Sequence, residues 1–195
     1  MTSTRNYFAY GSNMNQNVFT ERRGISPQFI AHAKITGWRL AMEHPGVPII
    51  EPVFATIKEQ KNAVVHGVLY KLIASDFERL NNSEGAAYRL VWINNIECEG
   101  RMFRGCTFVS PESCTGKKPS RRYMQILIQG AKENNLPKSY IADLENIKAI
   151  HLPFVSSLVD LLAKMALKYT ASGRRLNLIF VKFGASSKNS DPGSH

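Results

Sequence analysis

Two places in this chain combine residue types that can do chemistry. The first is Gly11-Ser12-Asn13, where an apolar aromatic run, Tyr7-Phe8-Ala9-Tyr10, breaks into a polar corner. Such a corner leaves backbone N–H groups free to face an anion or a polarised carbonyl. Ser12 and Asn13 add a hydroxyl and an amide, and Gly11 permits a turn or a close approach. The second is Glu84, directly before Gly85. A carboxylate held on a constrained loop can act as a general acid or base. Each place also has an ordinary reading. The first reads as a strand-to-turn junction, the second as an exposed turn.

The elements that must position these residues follow from periodicity. The aromatic run is a strand ending at Tyr10, and Asn15 to Gly24 holds a short helix over Val18 and Phe19. Gln28 to Met42 alternates as a strand. His44 to Pro52, with three prolines and a glycine, reads as a loop. Val53 to Glu59 and Ala63 to Leu72 read as two strands joined by the polar turn Gln60-Lys61-Asn62. Ser75 is a helix cap with Glu78 three residues on, so Asp76 to Asn81 is a helix leading into the Glu84-Gly85 loop. Tyr88 to Glu97 and Met102 to Val109 form a hairpin across Glu99-Gly100. After a Pro-, Ser-, Gly- and Lys-rich loop, helices are expected over Arg121 to Asn134 and Lys138 to Ile150. Strands come first and helices late, which is an α+β arrangement around a strongly bent or barrel-like sheet.

From residue 151 the character changes. Pro153 to Tyr169 reads as a helix with an apolar stripe at Phe154, Leu158, Leu162, Met165 and Tyr169. Leu176 to Phe183 reads as a strand, and Ala185 to His195 as a disordered tail. The domain plan is therefore a catalytic unit over 1–150, an extension over 151–184 packed on it or at an interface, and a tail over 185–195. A homodimer is one expected use of that extension. Membrane contact by its helix is the less favoured one, because its polar side is not rich in Lys.

Composition narrows the function classes. Hydrophobic residues make up 44% of the 195, enough to form a core. No run of apolar residues is long enough to span a bilayer. Met1 to Asn6 has no apolar segment, so no secretory signal is expected and a cytoplasmic setting is. Cys98, Cys106 and Cys114 are odd in number and contain no CxxC, so reduced thiols are expected rather than a metal or disulfide framework. No histidine pair has zinc-enzyme spacing, and His66 reads as structural. The formal net charge is +10, but apart from pairs such as Arg22-Arg23 and Arg121-Arg122 the basic residues are scattered. A solvated basic surface is expected, and no nucleic-acid partner.

Several stretches in order are similar to the gamma-glutamylcyclotransferase family. They are Tyr7 to Asn13, Ala55-Thr56-Ile57, Val65 to Leu72, Leu80 to Gly85, Pro119 to Tyr123, and Gly130 to Pro137 with Tyr140 and Leu144. The likeness covers residues 7–150. It implies a small mixed α/β fold with flanking helices, a barrel-like sheet and an internal cavity. It implies that the α-amine of a γ-glutamyl group attacks its own γ-carbonyl, forming 5-oxoproline and releasing an amine or amino acid, without metal or cofactor. On this resemblance Glu84 is the catalytic carboxylate. Tyr10, Gly11, Ser12, Asn13, Tyr88 and Tyr123 are the substrate-binding residues. The loop amides serve either the γ-carbonyl oxygen or the substrate α-carboxylate. One departure is plain: only Ala86 and Ala87 separate Glu84-Gly85 from Tyr88. The short spacer bears on the leaving group and on Tyr88. Other readings are a tailoring enzyme that removes a γ-glutamyl cap from a larger metabolite, and a non-catalytic binding protein on the same fold.

Overall fold

The computed structural model describes residues 3–48, 50–84 and 87–150. The expected extension and tail over 151–195, and the expected turn at Gly85, lie outside the described residues. Five strands close into a barrel in the order β1-β3-β2-β4-β5. They are β1 (Thr4–Ala9), β2 (Phe29–Val47), β3 (Glu51–Ile73), β4 (Arg89–Cys98) and β5 (Arg101–Val109). The helices are α1 (Ala74–Glu84), α2 (Arg121–Glu133) and α3 (Lys138–Asn146). A barrel-like sheet with flanking helices is thus the observed architecture.

β1 is the closing strand. It runs antiparallel to β3 from Thr4↔Ile73 to Ala9↔Val68 and parallel to β5 at Tyr7↔Cys106. Side chains reinforce the β1–β5 seam. Thr107 Oγ1 donates to the Phe8 carbonyl at 2.7 Å, Asn6 Nδ2 donates to the Arg104 carbonyl at 2.9 Å, and the Tyr10 hydroxyl donates to the Phe108 carbonyl. Closure gives β1 a neighbour on each side. It also buries Tyr7, Phe8, Ala9 and Tyr10 in one core.

Three expectations about elements need correction. Val53 to Glu59 and Ala63 to Leu72 are one strand, β3, pairing along the whole of β2. Gln60-Lys61-Asn62 is not a reversal. It sits at a register shift opposite Gly37, between Thr36↔Val64 and Trp38↔Glu59. A bulge uses the same polar, positive-φ residues as a turn, and Asn62 has φ 66°. The His44–Pro52 loop shrinks because β2 continues through Pro45 to Val47 and β3 resumes at Glu51. Finally, α1 starts before Ser75 and runs on to Glu84. Ser75 is therefore inside the helix, and Glu84 is the last helical residue rather than part of a loop.

Two further differences are small. The expected helix over Asn15 to Gly24 is a π-helix at Asn17–Arg22, preceded by a 3-10 turn at Ser12–Met14. The expected helix over Lys138 to Ile150 stops at Asn146, and Ile150 instead bridges to Ser120. Among the described residues no helix is long and apolar enough to cross a membrane.

α2 is where helix propensity and packing disagree. Gly130 lies inside it, although Ala would favour the helix by about 1 kcal/mol. A Cβ there would come within 2.6 Å of the Asn15 backbone nitrogen and 2.8 Å of the Met14 carbonyl carbon. Backbone cannot yield as a side-chain tip can. Gly130→Ala is therefore expected to destabilise the protein by about 2 kcal/mol or more despite its better propensity. Urea unfolding checks this: a midpoint at or above wild type would refute the packing argument.

Candidate functional site

The polar corner at the end of β1 is held from several sides. The Tyr70 hydroxyl donates to the Asn13 carbonyl at 3.0 Å. Tyr70 stacks on Phe19 of the π-helix with ring centroids 4.2 Å apart. From α2, Asn134 Nδ2 donates to the Met14 carbonyl at 2.8 Å, and Glu133 Oε2 accepts from the Gln16 amide at 3.0 Å. The run Gly130-Ala131-Lys132-Glu133-Asn134 thus works residue by residue. Gly130 allows the approach, while Glu133 and Asn134 tie the chain just after the corner. Within the corner, Met14 and Asn15 donate back to Gly11 and Ser12. The amides of Ser12 and Asn13 are the first donors of the 3-10 turn and find no acceptor among the described residues.

Glu84 comes to this corner from α1, 71 residues away. Asn13 Nδ2 donates to Glu84 Oε1 at 3.1 Å and to the Tyr7 hydroxyl at 2.8 Å. Arg23 Nη2 reaches the same Oε1 at 2.9 Å, with both side chains close to 10% exposed (12% for Arg23, 11% for Glu84). The second arm of the guanidinium, Nη1, donates to Ser83 Oγ. Both partners of Glu84 therefore sit on Oε1, and Oε2 takes no bond from a described residue. Asn13 Oδ1 is buried without a partner. The Asn13 amide faces the carboxylate with its donor, so its acceptor must point elsewhere.

The remaining expected residues form an aromatic wall. The Tyr123 hydroxyl accepts from the Ala55 amide at 3.0 Å, and the Tyr88 hydroxyl donates to the Ala55 carbonyl at 3.3 Å. Both phenols thus hold the backbone of one residue of β3, Ala55, from its N–H and its carbonyl sides, and the short connection after Glu84 does not keep Tyr88 away from it. Tyr123 is set by the start of α2. Ser120 caps that helix, accepting from the Tyr123 amide at 3.0 Å and donating to buried Glu51, which Arg122 Nε meets at 2.8 Å. Gly11 has φ −115°, so its backbone does not require glycine. A Cβ there would sit 3.5 Å from the Tyr123 hydroxyl and 3.7 Å from Ala55 Cβ. Its absence leaves space beside that hydroxyl. Tyr10 lies against β5 through its bond to Phe108.

The electrostatics are one-sided. Burial, above all, pushes the phenols of Tyr7, Tyr10, Tyr88 and Tyr123 above their ordinary value, and the nearby charge of Glu84 adds to the shift in each. All four stay protonated at neutral pH and serve as neutral donors or acceptors. His44, whose ring lies 4.2 Å from that of Tyr88, is pushed down to about 4 by burial. It is neutral near pH 7 and bonded through Nδ1 to Ser110 Oγ at 2.7 Å.

Sequence reasoning missed Arg23, Tyr7 and His44. Arg23 read as half of a solvated basic pair, and nothing in its neighbours says that it is buried against a residue 61 positions on. Tyr7 read as part of an apolar strand. Its hydroxyl was the signal, because a buried phenol needs a partner. His44 read as the start of a loop and is in β2 instead.

The chain can now be set beside known proteins. A model of the AIG2-like family matches residues 64–144. Bovine gamma-glutamylcyclotransferase is 30% identical over 151 residues, 73% of this chain and 78% of that one. The human protein of the same name is 30% identical over 160 residues, 74% of this chain and 77% of that one. The gamma-glutamyl cyclotransferase aclK of Aspergillus oryzae is 29% identical over 170 residues, 75% of this chain and 62% of that one. The chain thus spans less than two thirds of that fungal relative. The solved structure of a gamma-glutamyl cyclotransferase, 22% identical, overlays with a TM-score of 0.69 across 81% of this chain and 99% of the other. That overlay supports the same fold.

A pH prediction follows from His44. The unfolded chain binds a proton on this ring near pH 6.5, but the folded chain does so only near pH 4. The unfolded state therefore holds more protons between those values, and stability falls as pH drops through them. His32 and His66, also pushed down by burial, act in the same direction. Thermal melting is expected to drop from pH 7 to pH 5 in wild type and to drop less in His44→Gln. Equal slopes would refute it.

Proposed function

Because this chain belongs to the gamma-glutamylcyclotransferase family, we propose that it closes a γ-glutamyl group to 5-oxoproline and releases the attached amine or amino acid. The observation that carries this reading is the 3.1 Å contact between Asn13 Nδ2 and Glu84 Oε1. It joins the donor-rich corner and the carboxylate at one point, which is what an intramolecular acyl transfer needs.

The chemistry needs little beyond positioning. Nucleophile and electrophile are in one molecule, so folding the substrate into attack geometry removes most of the entropic barrier. The substrate amine enters as an ammonium and must lose a proton to become a nucleophile. Glu84 takes that proton, and the freed lone pair attacks the γ-carbon. The carbonyl π electrons move onto oxygen and return as the bond to the leaving nitrogen breaks. Glu84 delivers its proton to that nitrogen, then takes the second proton from the ring nitrogen and passes it to the freed amine, which restores the carboxylate. Of the three ammonium protons, one stays on the ring nitrogen and two end on the departing amine, which leaves as an ammonium. The Ser12 and Asn13 amides suit either the developing oxyanion or the substrate α-carboxylate. On this reading Tyr10, Tyr88 and Tyr123 meet the substrate as protonated phenols, and the missing Cβ of Gly11 leaves room for it beside the Tyr123 hydroxyl. On the same reading Tyr88, with the His44 ring against it, faces the leaving group. A cytoplasmic setting belongs to this reading.

The test is a panel of γ-glutamyl compounds, from γ-glutamyl-alanine to a bulky γ-glutamyl amide, assayed for 5-oxoproline. Release is expected from at least one of them. Glu84→Gln is expected to lower kcat per folded molecule by about 10²–10⁴-fold with the fold intact, and to lower the melting temperature because it leaves the Arg23 guanidinium without its counter-charge. Full activity in that variant would remove Glu84 from the mechanism. Preference for the bulky amide over γ-glutamyl-alanine would favour a tailoring enzyme.

A further inference from the structure

Glu84 is in an electrostatically poor place. It is the last residue of α1, where the helix carbonyls already carry partial negative charge. The last turn of α1 contains no basic residue to offset it. The cation comes from elsewhere in the chain, and it too is largely shielded from water, which is costly for an arginine without a partner.

Arg23 is held in place independently of the carboxylate. One arm of its guanidinium rests on Ser83 Oγ, and that hydroxyl donates in turn to the Leu80 carbonyl at 2.7 Å. The chain just beyond Arg23 is tied along α1 on either side of Ile25. Arg79 Nη1 donates to the Gly24 carbonyl, and the Ser26 amide donates to Asp76 Oδ2 at 3.2 Å. A planar fork fixed at one tip presents its other tip at a set position and angle. Here the other tip meets Glu84 Oε1 at 2.9 Å, the oxygen that also takes Asn13 Nδ2.

We propose that Arg23 is the positioning residue of Glu84: with Asn13 it clamps Oε1, so that Oε2 is the oxygen that carries protons during ring closure. This rests on the cyclotransferase reading given above. Oε2 accepts the proton from the substrate ammonium and, once the amine has attacked, gives a proton to the departing nitrogen. Oε1 remains in the ion pair throughout. The carboxylate then does not have to rotate between the two transfers, and both are made from one place. Arg23 touches neither substrate nor reacting atoms in this account. It acts through Glu84.

Such a role has a kinetic signature. Arg23→Met is expected to lower kcat about 100-fold, within the range of lost acid–base catalysis, with KM within about threefold of wild type. Arg23→Lys keeps a cation but loses the fork, and is expected to recover part of that kcat. Ser83→Ala removes only the anchor of the guanidinium, and is expected to lower kcat about threefold to tenfold at unchanged KM. Each is assayed for 5-oxoproline release, with melting temperature and circular dichroism read alongside. Wild-type kcat in folded Arg23→Met overturns the proposal. If Arg23→Met does not fold, wild-type kcat in Ser83→Ala overturns it. A fall in melting temperature with kcat per folded molecule unchanged assigns Arg23 to the fold alone and also overturns it. If the wild-type chain itself forms no 5-oxoproline across the panel, the functional reading fails and takes this proposal with it. That outcome is distinct, because it is seen before any variant is compared.

Discussion

Closure of the sheet through β1 is the constraint on which the rest depends. β1 is short, yet it pairs with β3 along its whole length and meets β5 on the other side. A barrel of five strands cannot close unless its last pair finds register, and here the backbone bridge is a single one, at Tyr7↔Cys106. Side chains from both strands complete the seam. The same strand ends in Gly11-Ser12-Asn13, so the seam that closes the barrel also fixes where the polar corner stands. Any shift of β1 by one residue would turn Tyr7 and Asn13 away from Glu84.

The corner is then approached from two directions by helices that answer to different packing. α2 presses its Gly130 face against Met14 and Asn15, and α1 delivers Glu84 from beyond β3. Between them the π-helix supplies Phe19 to the aromatic stack, and the chain just beyond it supplies Arg23 to the carboxylate. This gives a charged centre bounded by neutral phenols. Burial keeps those phenols protonated. The local charge is therefore decided by the Arg23–Glu84 pair, and hydrogen-bond geometry around it is not blurred by titrating neighbours near neutral pH.

Much of the fold was legible in the sequence because it rests on local signals. The hairpin of β4 and β5 was read to within a residue because the Glu99-Gly100 turn marks it, while β1 begins three residues before the aromatic run that announced it. Ser120, Asn134 and Pro137 mark helix boundaries for stereochemical reasons that hold in any context. The errors share a cause. A bulge and a turn use the same residues, so Gln60-Lys61-Asn62 does not reveal whether the chain reverses. That depends on whether β2 is long enough to pair with both halves of β3, and β2 is. Likewise α1 runs past its expected end at Asn81, where Ser83 and Glu84 take partners from the π-helix region.

By itself the sequence determined the residue types at the corner, the carboxylate at Glu84, the likeness to one family and the general α+β plan. These are properties of short stretches, set by dihedral preference and side-chain pattern. Only the tertiary structure decided that Asn13 and Glu84 touch, that Arg23 leaves the surface to hold Oε1, and that Tyr88 and Tyr123 grip the backbone of Ala55 from both sides. Contacts between residues 33 to 71 positions apart depend on barrel closure and helix docking. No local preference encodes them, because each becomes favourable only after the surrounding surfaces have excluded water.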